Sequence, residues 1–146
     1  MSATNAFETD LLKLIFTNVS APNVGDATGL VKSTTDGVFW ISLHTSDPGE
    51  TGDQTTNEAG YTSYARVSVV RTTSGWSVSG NTATNVNAIT FPACTGGSST
   101  VTYFGIGSAS SGAGHLFFSG ALAASLAVSN GITPSVAASG LSATAD

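Results

Sequence analysis

The sequence predicts an all-β protein: an antiparallel β-sandwich, jelly-roll-like, preceded by one N-terminal α-helix. Three observations predict it. Short apolar runs with period-two alternation recur along 38–146, each closed by Gly, Asn, Pro or Ser. Ser and Thr are abundant, 21 of each in 146 residues. Thr suits a pleated, half-buried surface, whereas Ser, Gly and Asn suit turns. No segment repeats at a fixed period, which argues against solenoids and propellers. The organisation read from this pattern is a helix and linker arm over 1–37 and a β-sandwich domain over 38–146.

Residues 4–18 read as the helix. Thr4 or Asn5 can cap it, and Glu8 and Asp10 sit in the early turns, where the helix dipole favours anions. Phe7, Leu11, Leu14 and Ile15 share one face, with Leu12 and Phe16 widening the stripe. That face is expected to cover the domain's own core or to dock on a neighbouring subunit. Residues 19–37, with Pro22, Gly25, Gly29 and Gly37, read as a linker in which Leu30 and Val31 form a short pairing or anchor. A strand follows at 38–45. Phe39, Ile41 and Leu43 point one way, and Trp40, Ser42 and His44 the other. Trp40 on the second face argues that this face is covered too. Residues 46–60 form an acidic loop, and 64–72 alternate again as a second strand. Short strands are then expected at 76–79, 82–86, 88–91 and 101–107. In the last of these Gly105 marks a bulge or a close backbone approach. Further strands are expected at 116–119, 122–128, 132–137 and 141–144, with Asn130-Gly131 as a hairpin turn signal.

Charge narrows the function. Only 9% of residues are charged and the formal net charge is −5. The cations Lys13, Lys32, Arg66 and Arg71 are too few and scattered to neutralise a run of phosphates, so neither nucleic acid nor an anionic membrane is expected as a partner. A surface poor in Lys and Glu resembles protein interfaces. Cys94 stands alone, excluding an intramolecular disulfide, and reads as a small buried hydrophobe. The N-terminus lacks a signal peptide's charged and apolar segments. Asp47, Glu50, Asp53 and Glu58 do not match an EF-hand loop and read as a solvated loop. His44 and His115 lack a nucleophile-elbow motif to make a triad. Gly105-Ile106-Gly107 lacks the third glycine and the helix of a dinucleotide site. No catalytic, metal or cofactor site is expected. The candidate functional residues are protein-interface ones: Phe7, Leu11, Leu14, Ile15, Trp40 and His115.

Several motifs in order resemble a family of small bacteriophage virion proteins, described as capsid decoration (cement) or tail fibre-like. They are Trp40-Ile41-Ser42-Leu43-His44-Thr45-Ser46-Asp47-Pro48-Gly49, Asn57-Glu58-Ala59-Gly60-Tyr61 with Tyr64-Ala65-Arg66, Ile89-Thr90-Phe91-Pro92, Val101-Thr102-Tyr103-Phe104-Gly105-Ile106, and Leu116-Phe117-Phe118-Ser119-Gly120-Ala121-Leu122. The resemblance covers residues 38–125 and carries no catalytic residues. It implies a structural virion protein, made in the host cytoplasm. The charge-poor surface and the lack of repeats or a coiled coil favour a cement protein on the capsid exterior. Its partners would then be the major capsid protein and copies of itself as a dimer or trimer. The alternative is a tail fibre or tail-tip component, gripping a host glycan through the acidic loop and Trp40 or Trp76.

Overall fold

The computed structural model describes residues 2–145. The elements in order are α1 (Asn5–Thr17), β1 (Val38–His44), β2 (Val67–Val70), β3 (Trp76–Ser79), β4 (Thr82–Asn85), β5 (Ile89–Thr90), β6 (Ser98–Gly107), β7 (Leu116–Ser129), β8 (Ser135–Val136) and β9 (Ser142–Thr144). The protein is therefore mostly β with one N-terminal helix, as composition and alternation predict. Among the described residues the sheets hold four, three and two strands, and the pairings β1–β6, β6–β7, β3–β4 and β4–β9 are antiparallel. The chain forms two compact units. The first comprises the residues up to Val38, Val70–Ala88 and those from Val136 on; the second comprises Phe39–Val69 and Ile89–Ser135.

In the first unit the sheet runs β3-β4-β9. The β3–β4 hairpin turns on Gly80-Asn81, with Gly80 at φ 58, a conformation that disfavours a side chain. Helix α1 packs on β3 and β4. Leu12 and Phe16 are its deepest apolar residues, and the Phe16 and Trp76 ring centroids lie 4.8 Å apart. Burial of each such side chain contributes about 1.5–3 kcal/mol. The buried stripe is thus rotated from the expected one. Leu11, Leu14 and Ile15 are half-buried and Phe7 is exposed. Six apolar residues cover too much of the helix for spacing alone to choose the centre, and the contact of Phe16 with Trp76 chooses it.

The expected linker is tied back on the helix end. Asn18 closes α1 in the left-handed region at φ 51, and its N–H returns to the Lys13 carbonyl. Its side-chain amide donates to Ser33 O and Asp36 Oδ1 and accepts from the Ser33 N–H. Ala21 and Leu30 exchange both backbone hydrogen bonds, at 3.0 and 2.8 Å. Arg71 completes the cap: Nε donates to Ile15 O at 2.7 Å, Nη2 to Leu14 O at 2.9 Å, and Nη1 to Asp36 O at 3.2 Å. These fork contacts satisfy carbonyls that a helix leaves unpaired at its C-terminus. Arg71→Ala is expected to cost about 1–3 kcal/mol, with Arg71→Lys recovering only part, as read by urea denaturation. Asn85 has a similar role between β4 and the C-terminal segment. Its Nδ2 donates to Asn87 O and Ala137 O, and its Oδ1 accepts from Leu141 N, each at 2.8 Å.

In the second unit the sheet order is β2-β1-β6-β7. The register pairs Ile41 with Ile106 and Leu43 with Phe104, which places these apolar side chains on one face. On the other face Trp40 pairs with Gly107 and Ser42 with Gly105. Strand β2 starts later than expected, because the chain turns at Ser63 (φ 77) with the Tyr64 N–H returning to Tyr61 O. The two strands expected at 116–128 are one, with register shifts at 117 and over 122–125. The Asn130-Gly131 turn forms, the Ile132 N–H reaching Ser129 O at 2.9 Å. It does not make a hairpin. Cys94 captures it through Gly131 N→Cys94 O and Cys94 N→Ile132 O, and the chain then pairs β8 with β5.

Candidate functional site

The densest polar cluster lies in the second unit, where the loop 46–60 folds over the Trp40–Ser42–His44 face of the sheet. Two glycines make room for it. A Cβ on Gly105 would stand 2.6 Å from Ser42 Oγ and 2.7 Å from His44 Nε2, and one on Gly107 would strike the Gln54 side chain. Gln54 is wholly buried. Its Nε2 donates to Trp40 O at 3.1 Å, its Oε1 accepts from Ala109 N at 2.9 Å, and its own N–H donates to Gly114 O at 3.0 Å. One side chain thus joins β1, the loop 46–60 and the loop 108–114.

His44 is also wholly buried. Nδ1 lies 2.8 Å from Thr56 O, and Nε2 lies 2.8 Å from Ser42 Oγ. A carbonyl only accepts, so the neutral ring carries its proton on Nδ1 and accepts the Ser42 hydroxyl at Nε2. Burial pushes the His44 pKa below its ordinary value, against the opposing pull of the Thr56 carbonyl. The unfolded chain therefore binds the proton first as pH falls. Its contribution to stability is complete above about pH 6.5 and is lost as pH falls from there toward the folded-state pKa. The melting temperature should drop between pH 7.5 and 5, and His44→Gln should flatten that slope while lowering the melting temperature at pH 7.5. An unchanged slope in His44→Gln would assign the pH dependence elsewhere.

Glu58 and Arg66 form the third part of the cluster. Arg66 Nε donates to Glu58 Oε1 at 2.7 Å and Nη2 to Oε2 at 2.8 Å, with the Arg66 side chain 2% exposed. The same guanidinium donates to Ala109 O and Gly112 O. Tyr64 Oη donates to Glu58 Oε1 and accepts from the Leu43 N–H at 2.9 Å. The hydrogen bonds to Glu58 raise the Arg66 pKa, and burial raises that of Tyr64. The cation stays charged and the phenol neutral.

The acidic residues do not converge. Glu58 is spent on Arg66 and Tyr64. Asp47 Oδ1 accepts from Gly49 N at 2.9 Å. Asp53 Oδ1 accepts from the Thr55 hydroxyl at 2.6 Å and the Thr55 N–H at 2.7 Å, bonds that hold the Asp53 carboxyl below the usual carboxylate range. Glu50 borders a small cleft beside Leu116, Phe117 and Ser119. Among the described residues no group of three His, Cys, Asp or Glu is placed to hold a metal ion. The loop read as solvated keeps Asp47 and Glu50 exposed, and it is also ordered by internal bonds. Ser42 and His44 resemble two members of a triad, but Nδ1 faces a carbonyl rather than a carboxylate, and both residues are fully buried. The bonds of the cluster join β1 to the loops 46–60 and 108–114.

The six expected interface residues are divided between the two units. Phe7, Leu11, Leu14 and Ile15 belong to the first unit, and Trp40 and His115 to the second. Trp40 is half-buried. His115 is exposed, its ring 4.9 Å from that of Phe117, which in turn lies 5.5 Å from Phe39. Trp76, named above as a glycan platform, is fully buried against Phe16 and offers no ring face to a sugar. A groove of about 660 Å³ on the first unit is lined by Lys13, Val19, Val78 and Val86 among others, and its Asn85 spends its amide internally. Sequence reasoning missed Gln54, Ser42, Gly107 and the structural role of Arg66. The readable signal was Arg66 itself, the only Lys or Arg within 38–70, set a few residues after four carboxylates.

The chain belongs to the family described as Podophage GP4 fiber I protein gp80, which matches residues 2–144. The match includes the N-terminal helix and C-terminal segment that the motif resemblance left out. Among curated proteins nothing matches. The chain is thus a member of a phage virion fibre-protein family, as its motif order led one to expect.

Proposed function

We propose that this member of the fibre family is a non-enzymatic structural subunit of a phage fibre, assembled from the host cytoplasm into the virion. The observation that carries the reading is the match to a fibre protein across both units. The internal bonding of the polar cluster supports it: Gln54, His44, Glu58 and Arg66 hold loops rather than present groups to a substrate. Other virion proteins and further copies of this chain are the partners. The side chains assigned to those contacts are Phe7, Leu11, Leu14 and Ile15 on the half-exposed flank of α1, together with Trp40 and His115.

A capsid cement protein, bound to the outside of the major capsid protein shell and stabilising it, is the second reading. The low charge content favours it, since interfaces are poor in Lys, Glu and Asp. Quantitative mass spectrometry of purified virions separates the two. The fibre reading expects a copy number that tracks the other fibre and tail proteins. A copy number that tracks the major capsid protein would overturn it in favour of cement.

A further inference from the structure

The chain keeps its charge at one end of its sequence. Between Arg71 and Asp146 there is no Asp, Glu, Lys or Arg. In the second unit this leaves β6, β7 and their connecting loop uncharged. The Glu58–Arg66 pair is largely buried, and the remaining charges Asp47, Glu50 and Asp53 sit in the loop 46–60. Strand β7 is the longest strand, at 14 residues, and it forms an edge of its sheet. Natural edges are blunted by Lys, Pro, bulges, shortness or covering elements, and β7 carries register shifts at 117 and over 122–125. This one has no Lys and no Pro, and its side chains Ser119, Ala121, Ala123, Ser125, Ala127 and Ser129 are exposed and small. The opposite edge strand β2 and the edge strand β3 have only four residues each.

We propose that the outer edge of β7 pairs, antiparallel and about a two-fold axis, with β7 of a second copy of this chain. An extended backbone edge calls for an extended strand, because its outward N–H and C=O groups repeat at strand spacing. Charge selects a second copy as the source. Two chains of net charge −5 repel wherever their charged surfaces meet, and β7 is the long edge where that repulsion is absent. Antiparallel pairing also separates the acidic loops. Glu50 lies beside residues 116–119 at the start of β7, and a two-fold axis sends the two starts to opposite ends, about 40 Å apart for a strand of this length. A pairing that uses the whole strand sets the axis at 122–123. There, residues 122–125 stand opposite Thr102 alone, an irregularity in the ladder, and the small side chains of Ala123, Ala124 and Ser125 leave space for the partner's backbone. The contact does not depend on whether the chain sits in a fibre or on a shell, so its failure and the failure of the fibre reading are separate results.

Sedimentation velocity on the purified full chain tests this, using the unaltered protein, Ala123→Lys, Ala127→Lys and the control Val31→Lys, a site 66% exposed in the first unit. The expected result is a dimer in the unaltered protein and the control, with the dissociation constant raised at least about tenfold by Ala123→Lys, whose two copies lie on either side of the axis, and by a smaller factor by Ala127→Lys, which stands about 30 Å from its own copy and opposite position 118 of the partner copy. Circular dichroism confirms that each variant is folded. Should the β7 variants fail to fold, hydrogen exchange of the unaltered chain decides: protection of amides 119–129 that grows with protein concentration supports the pairing. A monomeric chain, a dimer unmoved by the β7 lysines, or exchange independent of concentration would overturn it. So would a β7 edge that becomes protected only when another virion protein is added.

Discussion

Arg66→Met is expected to lower the unfolding free energy by about 3–5 kcal/mol, the cost of removing one partner from a buried ion pair. The margin of a typical domain is only about 5–15 kcal/mol. The substitution strips both N–H donors from the Glu58 carboxylate and leaves the Ala109 and Gly112 carbonyls without their donor. Glu58→Gln should cost less, because the amide oxygen still accepts from Tyr64 or from Arg66. The double substitution Glu58→Leu/Arg66→Met should recover part of the loss but not all of it, since the two carbonyls stay unmatched. Guanidinium unfolding followed by tryptophan fluorescence measures each difference. A loss under about 1 kcal/mol for Arg66→Met would mean that the pair behaves as a solvated surface bridge.

Gly107→Ala is expected to destabilise by about 1–3 kcal/mol, the usual cost of overpacking a filled site. The new methyl meets the Gln54 side chain. Gln54 cannot swing aside without breaking its bonds to Trp40 and Ala109. The matching control is Gly60→Ala, where a Cβ meets nothing within 4 Å; it should fall within about 0.5 kcal/mol of the unaltered protein. Combining Gly107→Ala with Gln54→Ala should cost less than the sum of the two, since the methyl then enters the space the amide leaves. Strict additivity in thermal or denaturant unfolding would show that Gly107 and Gln54 do not share a site.

Strand positions were legible because they rest on local chemistry. Alternation marked β1, the turn Gly80-Asn81 marked the β3–β4 hairpin, and Trp40 on the second face of β1 announced that this face is covered. What covers it was not legible. Gln54 reads as an ordinary loop polar residue until the register sets Gly107 opposite Trp40 and beneath it, and register is a property of two strands distant in sequence. The helix stripe shows the same limit. Spacing identified the apolar residues of α1, but a ring from β3, Trp76, decided that Phe16 and Leu12 lead inward. At Asn130-Gly131 the turn chemistry was read correctly and the hairpin was not, because Cys94 competes for the turn's backbone groups. His44 and Glu58 drew notice as potential chemistry, yet their partners Ser42, Thr56 and Tyr64 are residue types that sequence alone cannot pair.

The family match and the internally satisfied polar cluster converge on a structural part of a phage particle. Cryo-electron microscopy of the intact virion, with the two units fitted separately into density, tests that most directly. The fibre reading predicts density for both units within the fibres. Density for the chain on the faces of the capsid shell, or its absence from the purified particle, would contradict it.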